Sequence, residues 1–131
     1  MKFFVKLFLS AFLVFSVPFS VGAQDDVVVT KQYDDGGMYE GTFKNGLQHG
    51  IGTYRLPNGY EYSGEWVDGE ILGVGVAKFP NGSVYEGNFI KGKPEGSGKI
   101  IFADGGTYEG TWLDGKITGQ GIAVYANGSR F

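Results

Sequence analysis

Tyr39, Tyr62, Tyr85, Tyr108 and Phe131 follow one another at intervals of 23 residues, and a fixed step of that size limits the architectures open to this chain. Self-similarity with a period of roughly 20–50 residues marks an array of small units that stack on one another. The same pattern unrolls from each anchor. Two residues on stand Gly41, Gly64, Gly87 and Gly110, and four on stand Phe43, Trp66, Phe89 and Trp112. Seven on come Gly46, Gly69, Gly92 and Gly115. Glycine pairs follow at eleven and thirteen, as in Gly50 with Gly52 and Gly73 with Gly75. Position seventeen holds Leu56, Phe79, Phe102 and Tyr125, and each unit closes on Asn58-Gly59, Asn81-Gly82, Asp104-Gly105 or Asn127-Gly128. Tyr33 to Met38 matches the tail of such a unit and reads as a leading half repeat.

Within a unit the period is two. In Tyr39-Glu40-Gly41-Thr42-Phe43, aromatic and glycine positions alternate with polar ones, the signature of a strand with two unlike faces. Gly46 to Gly50 is expected to turn the chain between the two strands of a unit. Pro57-Asn58-Gly59 and Pro80-Asn81-Gly82 supply turn chemistry between units. Each unit is therefore one β-hairpin, and consecutive hairpins pair into a meander. At about 4.8 Å per strand, four units extend roughly 40 Å.

Glycine inside a strand costs about 0.5–1 kcal/mol relative to alanine, so its recurrence needs a cause. Gly41, Gly50 and Gly52 share a face with Tyr39, Phe43 and Leu56, where a missing Cβ lets a ring lie on bare backbone and lets the sheet curl. Equivalent rings are expected to pile into columns along the stack, adding about 0.5–1.5 kcal/mol per pair beyond buried area. The structural positions that carry this arrangement are Tyr39, Gly41, Phe43, Tyr62, Gly64, Trp66, Tyr85, Gly87, Phe89, Tyr108, Gly110 and Trp112. One hairpin of this kind cannot stand alone, but neighbours hold one another up.

The segments YEGTFKNGLQHGIG, from Tyr39, and YEGTWLDGKITGQG, from Tyr108, resemble the MORN repeat family. The resemblance runs from about Tyr33 to Phe131. It implies an all-β fold, an elongated single-layer antiparallel meander of stacked 23-residue β-hairpins; the residues before it are separately expected to form a signal-peptide helix. The family's name records an early proposal of membrane attachment. Members fused to lipid kinases or to a histone methyltransferase keep their chemistry in the attached domain.

Met1 to Lys6 carries two lysines and no acid, Leu7 to about Phe19 is apolar, and Val21-Gly22-Ala23 precedes Gln24. That order reads as a secretory signal peptide cut between Ala23 and Gln24; the alternative is a membrane anchor left uncleaved. Pro18 and the short uncharged run fit poorly with the roughly 20 apolar residues of a spanning helix. The expected division is a signal peptide over 1–23, a linker over 24–32 and repeats over 33–131. The repeats comprise a half unit at 33–38 and units at 39–61, 62–84, 85–107 and 108–130.

Beyond residue 23 the chain holds 9 basic against 14 acidic residues. An acidic surface is a poor match for nucleic acid, which rewards clustered lysine and arginine. The sequence contains no cysteine, which removes disulfides and thiolate metal sites. Lys91, Lys93 and Lys99 form a local basic cluster interrupted by Glu95 and fall short of the 4–8 basic residues of a lipid-binding segment. His49 occupies a position taken by Leu72, Glu95 and Thr118 in the other units and reads as a solvated turn residue. No Ser/His/Asp set, HExxH or phosphate loop is present. The sequence thus calls for no catalytic residue, no cofactor and no metal site. It points to a non-catalytic scaffold that engages a protein partner, or another copy of itself, through a sheet face or edge. A membrane surface or a cell-wall glycan is the alternative partner. The last strand, with Ile122, Val124 and Tyr125 and only Arg130 as a nearby charge, is an edge suited to pairing. Phe131, the first residue of what would be a fifth unit, either lies over Tyr108 and Tyr125 as a cap or leads into further repeats of a longer protein.

Overall fold

The computed structural model describes residues 27–131. Over that span nine strands form one sheet in sequence order, every neighbouring pair antiparallel. The strands are β1 (Val29–Gln32), β2 (Met38–Lys44), β3 (Leu47–Arg55), β4 (Glu61–Val67), β5 (Glu70–Lys78), β6 (Val84–Ile90), β7 (Lys93–Ile101), β8 (Thr107–Leu113) and β9 (Lys116–Val124). The fold is therefore all-β, a single open meander with no helix among the described residues. The expected signal-peptide helix and the Ala23–Gln24 cleavage site lie outside those residues.

Two kinds of turn alternate along the sheet. Within a unit the strands are joined by two residues, both left-handed: Asn45 and Gly46 have φ of 53° and 81°, and Asp68 and Gly69 have 49° and 87°. Asn-Gly and Asp-Gly are the dipeptides a tight hairpin of this twist demands. The turn is thus shorter than the expected Gly46–Gly50, and Leu47 already belongs to β3. Gly50 and its counterpart Gly73 (φ 107°) sit instead at a bulge. In the second unit Gly64 pairs with Gly75 but Trp66 pairs with Ile71, so two steps along β4 match four along β5. Between units, Leu56 accepts a hydrogen bond from the Gly59 N–H (3.1 Å) and donates its own N–H to Tyr60 (2.9 Å). Asn58 then accepts the Tyr60 N–H at 2.9 Å. This is the turn chemistry of Pro-Asn-Gly. Tyr33–Gly37 closes in the same way, with 2.8 and 3.0 Å bonds.

One boundary needs correction. The segment 24–32 is not all linker, because Val29–Gln32 forms β1 and pairs with Met38–Gly41. It holds the place of a second strand without that strand's glycine pattern; backbone pairing to β2 alone suffices to position it.

The core is one ring deep. Tyr39, Tyr62 and Tyr85 are fully buried, and Phe89, Trp66 and Trp112 nearly so. The rings do not pile face to face. Each tyrosine meets the ring four residues on and the equivalent ring of the next unit, edge to face. Tyr39 lies 5.0 Å from Phe43 at 74° and 5.1 Å from Trp66 at 85°. Tyr62 is 5.7 Å from Trp66 and 4.9 Å from Phe89, and Tyr85 is 5.1 Å from both Phe89 and Trp112. A continuous zigzag results, from Phe43 to Tyr108. It replaces the expected columns because a negative ring face attracts a positive ring edge better than a second face.

The glycines make room for it. A Cβ on Gly75 would stand 2.5 Å from Cε1 and 2.6 Å from Cζ of Tyr62, and one on Gly64 would stand 2.5 Å from the Gly75 Cα. Lying along bare backbone, Tyr39 donates its hydroxyl to the Thr42 carbonyl (2.8 Å), Tyr62 to that of Glu65 (2.9 Å) and Tyr85 to that of Asn88 (3.0 Å). Tyr108 breaks the series: its hydroxyl is buried with no partner. In the last hairpin the register shift falls between Gly110 and Thr111, so Thr111 pairs directly with Thr118. Phe131 does not cap Tyr108: its side chain stays exposed, its ring 6.4 Å from that of Tyr125, while its backbone pairs with Ala123.

Candidate interaction surface

The two faces of the sheet differ in chemistry. The outer face carries a row in which residues stand opposite one another from strand to strand: Glu40, Thr53, Ser63, Val76, Glu86, Lys99, Glu109 and Ile122. Arg55 on the same face reaches Glu61 at 3.4 Å and Glu40 at 3.8 Å. Lys99 stands between Glu86 and Glu109 in register. The lysine cluster read from the sequence is therefore split, with its third member flanked by carboxylates rather than joined to Lys91 and Lys93. Ile51, Val74 and Ile122 are exposed on this face but separated by polar neighbours.

His49 lies on β3, not in the turn, and is half-buried. Its Nδ1 accepts the N–H of Asp68 at 3.3 Å. Glu95, at the equivalent position, accepts the Asp114 N–H at 3.0 Å. Alongside them, Gly69 donates to the Gln48 carbonyl (2.8 Å) and Gly115 to that of Pro94 (2.9 Å). His49 thus latches the tip of the next hairpin, a role set by its place in the repeat.

The inner face holds the zigzag, and most of its ring surface is consumed there. At the N-terminal end, however, two tyrosines depart from the pattern. Tyr54 stands where later units have Ala77, Ile100 and Ala123, and Tyr60 where they have Ser83, Gly106 and Ser129. Tyr33, from the half repeat, joins them. Together with Asp35, Gln48, Trp66, Gly69 and Ile71 they line a groove of about 350 Å³, within the size range of small-ligand sites. Its rings are set at an angle to one another: Tyr33 meets Tyr54 at 64° and Tyr54 meets Trp66 at 73°. Trp66 is fixed from behind, its Nε1 donating to the Gly52 carbonyl at 3.1 Å. Gln48 donates to the Tyr33 hydroxyl at 2.7 Å, and Asp35 accepts the Gly37 N–H at 2.7 Å through Oδ1.

The groove's electrostatics follow from that lining. Burial is the main cause that raises the pKa of Tyr54, with the Asp35 carboxylate adding to it, and burial likewise raises that of Tyr60. Both phenols therefore stay protonated, as hydrogen-bond donors, at any physiological pH. Among the described residues there is no group of three or more His, Asp and Glu suited to a metal ion.

Four consecutive segments, 39–59, 62–84, 85–107 and 108–130, match the family model for the MORN repeat. The chain belongs to the MORN repeat family. MORN repeats mediate protein or membrane interactions and are typically non-catalytic. No curated protein matches the chain in sequence. Of the aromatic MORN positions singled out in the sequence, Trp66 lines the groove, joined there by the repeat glycine Gly69. The others serve the sheet: Tyr39, Tyr62, Tyr85, Phe89 and Trp112 are buried, Phe43 and Tyr108 half-buried, and Gly41, Gly64, Gly87 and Gly110 lie beneath the rings. Tyr54 and Tyr60 escape a search for motif residues, since their signal is the reverse: a large ring where sister units carry a small side chain.

Proposed function

We propose that this chain is an exported, non-catalytic MORN-repeat scaffold that binds a protein partner through the aromatic groove at the N-terminal end of its inner face. One observation carries the reading. A residue repeated in every unit serves the architecture, whereas Tyr54, Tyr60 and Gln48 break the repeat and converge with Tyr33 and Asp35 of the half unit on one concave site. Large aromatic side chains in a pocket are the usual anchors of protein interfaces. The export step rests on the sequence of residues 1–24, with cleavage after Ala23.

The repeat itself supplies the test. Tyr54→Ala and Tyr60→Ser install the residues that Ala77 and Ser83 provide one unit later, so the double variant keeps a sheet that the chain already builds. Native protein and double variant are compared in pull-downs from the exported fraction of the host, in parallel with sedimentation on phospholipid vesicles and on peptidoglycan. Partners captured by the native chain and lost by a folded double variant support the reading. Equal capture by both overturns the groove's role, and retention on vesicles or peptidoglycan in place of protein capture assigns the surface to membrane or glycan. N-terminal sequencing of the exported chain checks the cleavage, which predicts a first residue of Gln24.

A further inference from the structure

The groove's lining also restricts what kind of group can anchor there. Four aromatic side chains, Tyr33, Tyr54, Tyr60 and Trp66, surround it, and Asp35 is the only charged residue in it. The rings meet at 64° and 73°, so together they line an open groove with faces and edges instead of presenting one flat platform. A pyranose ring stacks best on an open aromatic plane. A compact group with positive character, seated in such a groove, meets more than one aromatic ring at once. No basic residue lines the groove, and Asp35 has no ion-pair partner among the described residues. Its Oδ1 is engaged by the Gly37 N–H, which leaves the other carboxylate oxygen for a ligand. The neighbouring depression shares Trp66, Gly69 and Ile71 and adds the opposed charges Glu70 and Lys91. The chain also shows the preference in miniature: its own Lys31 holds its ammonium 5.3 Å from the centre of the Tyr33 ring.

We infer that the groove is an aromatic cage for an alkylammonium group, the side chain of a lysine, free or N-methylated, on the partner protein. The inference rests on the groove being the interaction site proposed above and names the chemistry that anchors the partner there. The lysine's methylene stem lies against Tyr54 and Tyr60, its charged end faces the ring surfaces, and Asp35 balances the charge at the rim. Methylation spreads the charge over a larger, less hydrated group that fills the cage better, so the trimethylated side chain binds more tightly than the free one.

The test titrates the purified full chain with four blocked amino acids: lysine, trimethyllysine, arginine and norleucine, the last an uncharged match for the lysine stem. Trp66 fluorescence, isolated in a Trp112→Phe background, and the amide shifts of Gly69 and Ile71 report binding. Choline and a chitin oligosaccharide are run alongside. Trimethyllysine and lysine should bind, norleucine about tenfold more weakly or not at all, and Asp35→Asn should weaken the cations about three- to tenfold. Asparagine can still accept the Gly37 N–H, so that variant keeps the turn, and its unchanged melting temperature verifies this. Tyr54→Ala should abolish binding. Equal binding of norleucine and lysine, binding of the saccharide in preference to the cations, or cation binding indifferent to both Asp35→Asn and Tyr54→Ala would each overturn the inference. So would binding by choline and phosphatidylcholine vesicles with none by the lysine series. If the cations fail to bind while the Tyr54→Ala, Tyr60→Ser variant still loses its protein partner, the cage is wrong and the interaction site stands.

Discussion

Replacing Gly75 with alanine would place a methyl group 2.5 Å from Cε1 and 2.6 Å from Cζ of Tyr62, where carbon atoms prefer about 3.5–4.0 Å. The ring has no retreat. Tyr62 is completely buried, edge-on to Trp66 at 5.7 Å and Phe89 at 4.9 Å, with its hydroxyl held by the Glu65 carbonyl. Forcing extra volume into such a site costs about 1–3 kcal/mol, which outweighs the about 0.5–1 kcal/mol that alanine gains over glycine in a strand. At about 4–8 °C of melting temperature per kcal/mol for a small domain, the loss is large enough to measure easily. Chemical denaturation followed by far-ultraviolet circular dichroism gives the free energy, and the decisive comparison is a double-mutant cycle with Tyr62→Leu. Leucine lacks the atoms that Gly75→Ala strikes, so in that background the alanine should be neutral or stabilising. Gly75→Ala that costs the same with leucine as with tyrosine at position 62 would refute the claim that this glycine exists to receive the ring.

Three other expectations follow from particular groups. Burial, the largest cause in each case, raises the pKa of Tyr39, Tyr62 and Tyr85 above the ordinary value of 10.0, so the folded chain binds their protons more tightly than the unfolded one. Their contribution is complete below about pH 10 and is lost as pH rises through the folded values. Phenolate absorbance and loss of β-structure should therefore rise together, and titration near pH 10 with the sheet intact would contradict this. Lys91 has φ of 50° where its counterparts are Asn45, Asp68 and Asp114. Lys91→Asn should stabilise by about 0.5–2 kcal/mol in denaturant melts. The outer edge of β9 from Lys116 to Ile122 has no partner among the described residues, while Ala123 exchanges 2.7 and 3.1 Å bonds with Phe131. End-to-end pairing through that edge predicts a dimer by light scattering, and a monomer at high concentration would exclude it.

Much of the fold is written in the repeat. Tyr39 and its equivalents, the alternation through Phe43 and the Asn-Gly units give hairpins, their number and their order, because every unit must solve the same packing problem. What escapes is whatever a single unit does differently or whatever repetition does not encode. Val29–Gln32 carries no motif and becomes a strand through backbone pairing alone. The spacing of Tyr39 and Trp66 brings the rings together but is silent on the angle between them, which the ring quadrupoles decide. Asn45-Gly46 does carry the signal of a two-residue turn, yet the glycines from Gly46 to Gly50 suggest a longer one until the bulge accounts for Gly50. The groove was least legible. It arises from Tyr54 and Tyr60, whose significance lies in contrast with Ala77 and Ser83 and becomes visible only when the strands set them beside Tyr33.

The ring zigzag has a consequence for how such a molecule can change size. No aromatic contact reaches past the adjacent unit, so nothing in the core records how many units there are. Excising residues 85–107 would join Val84 to Tyr108, let Trp112 take the place of Phe89 against Tyr62, and leave a shorter object with its seams closed. The chain can lose or gain whole modules as beads on a string are removed or added, while its N-terminal groove must be kept as a single copy.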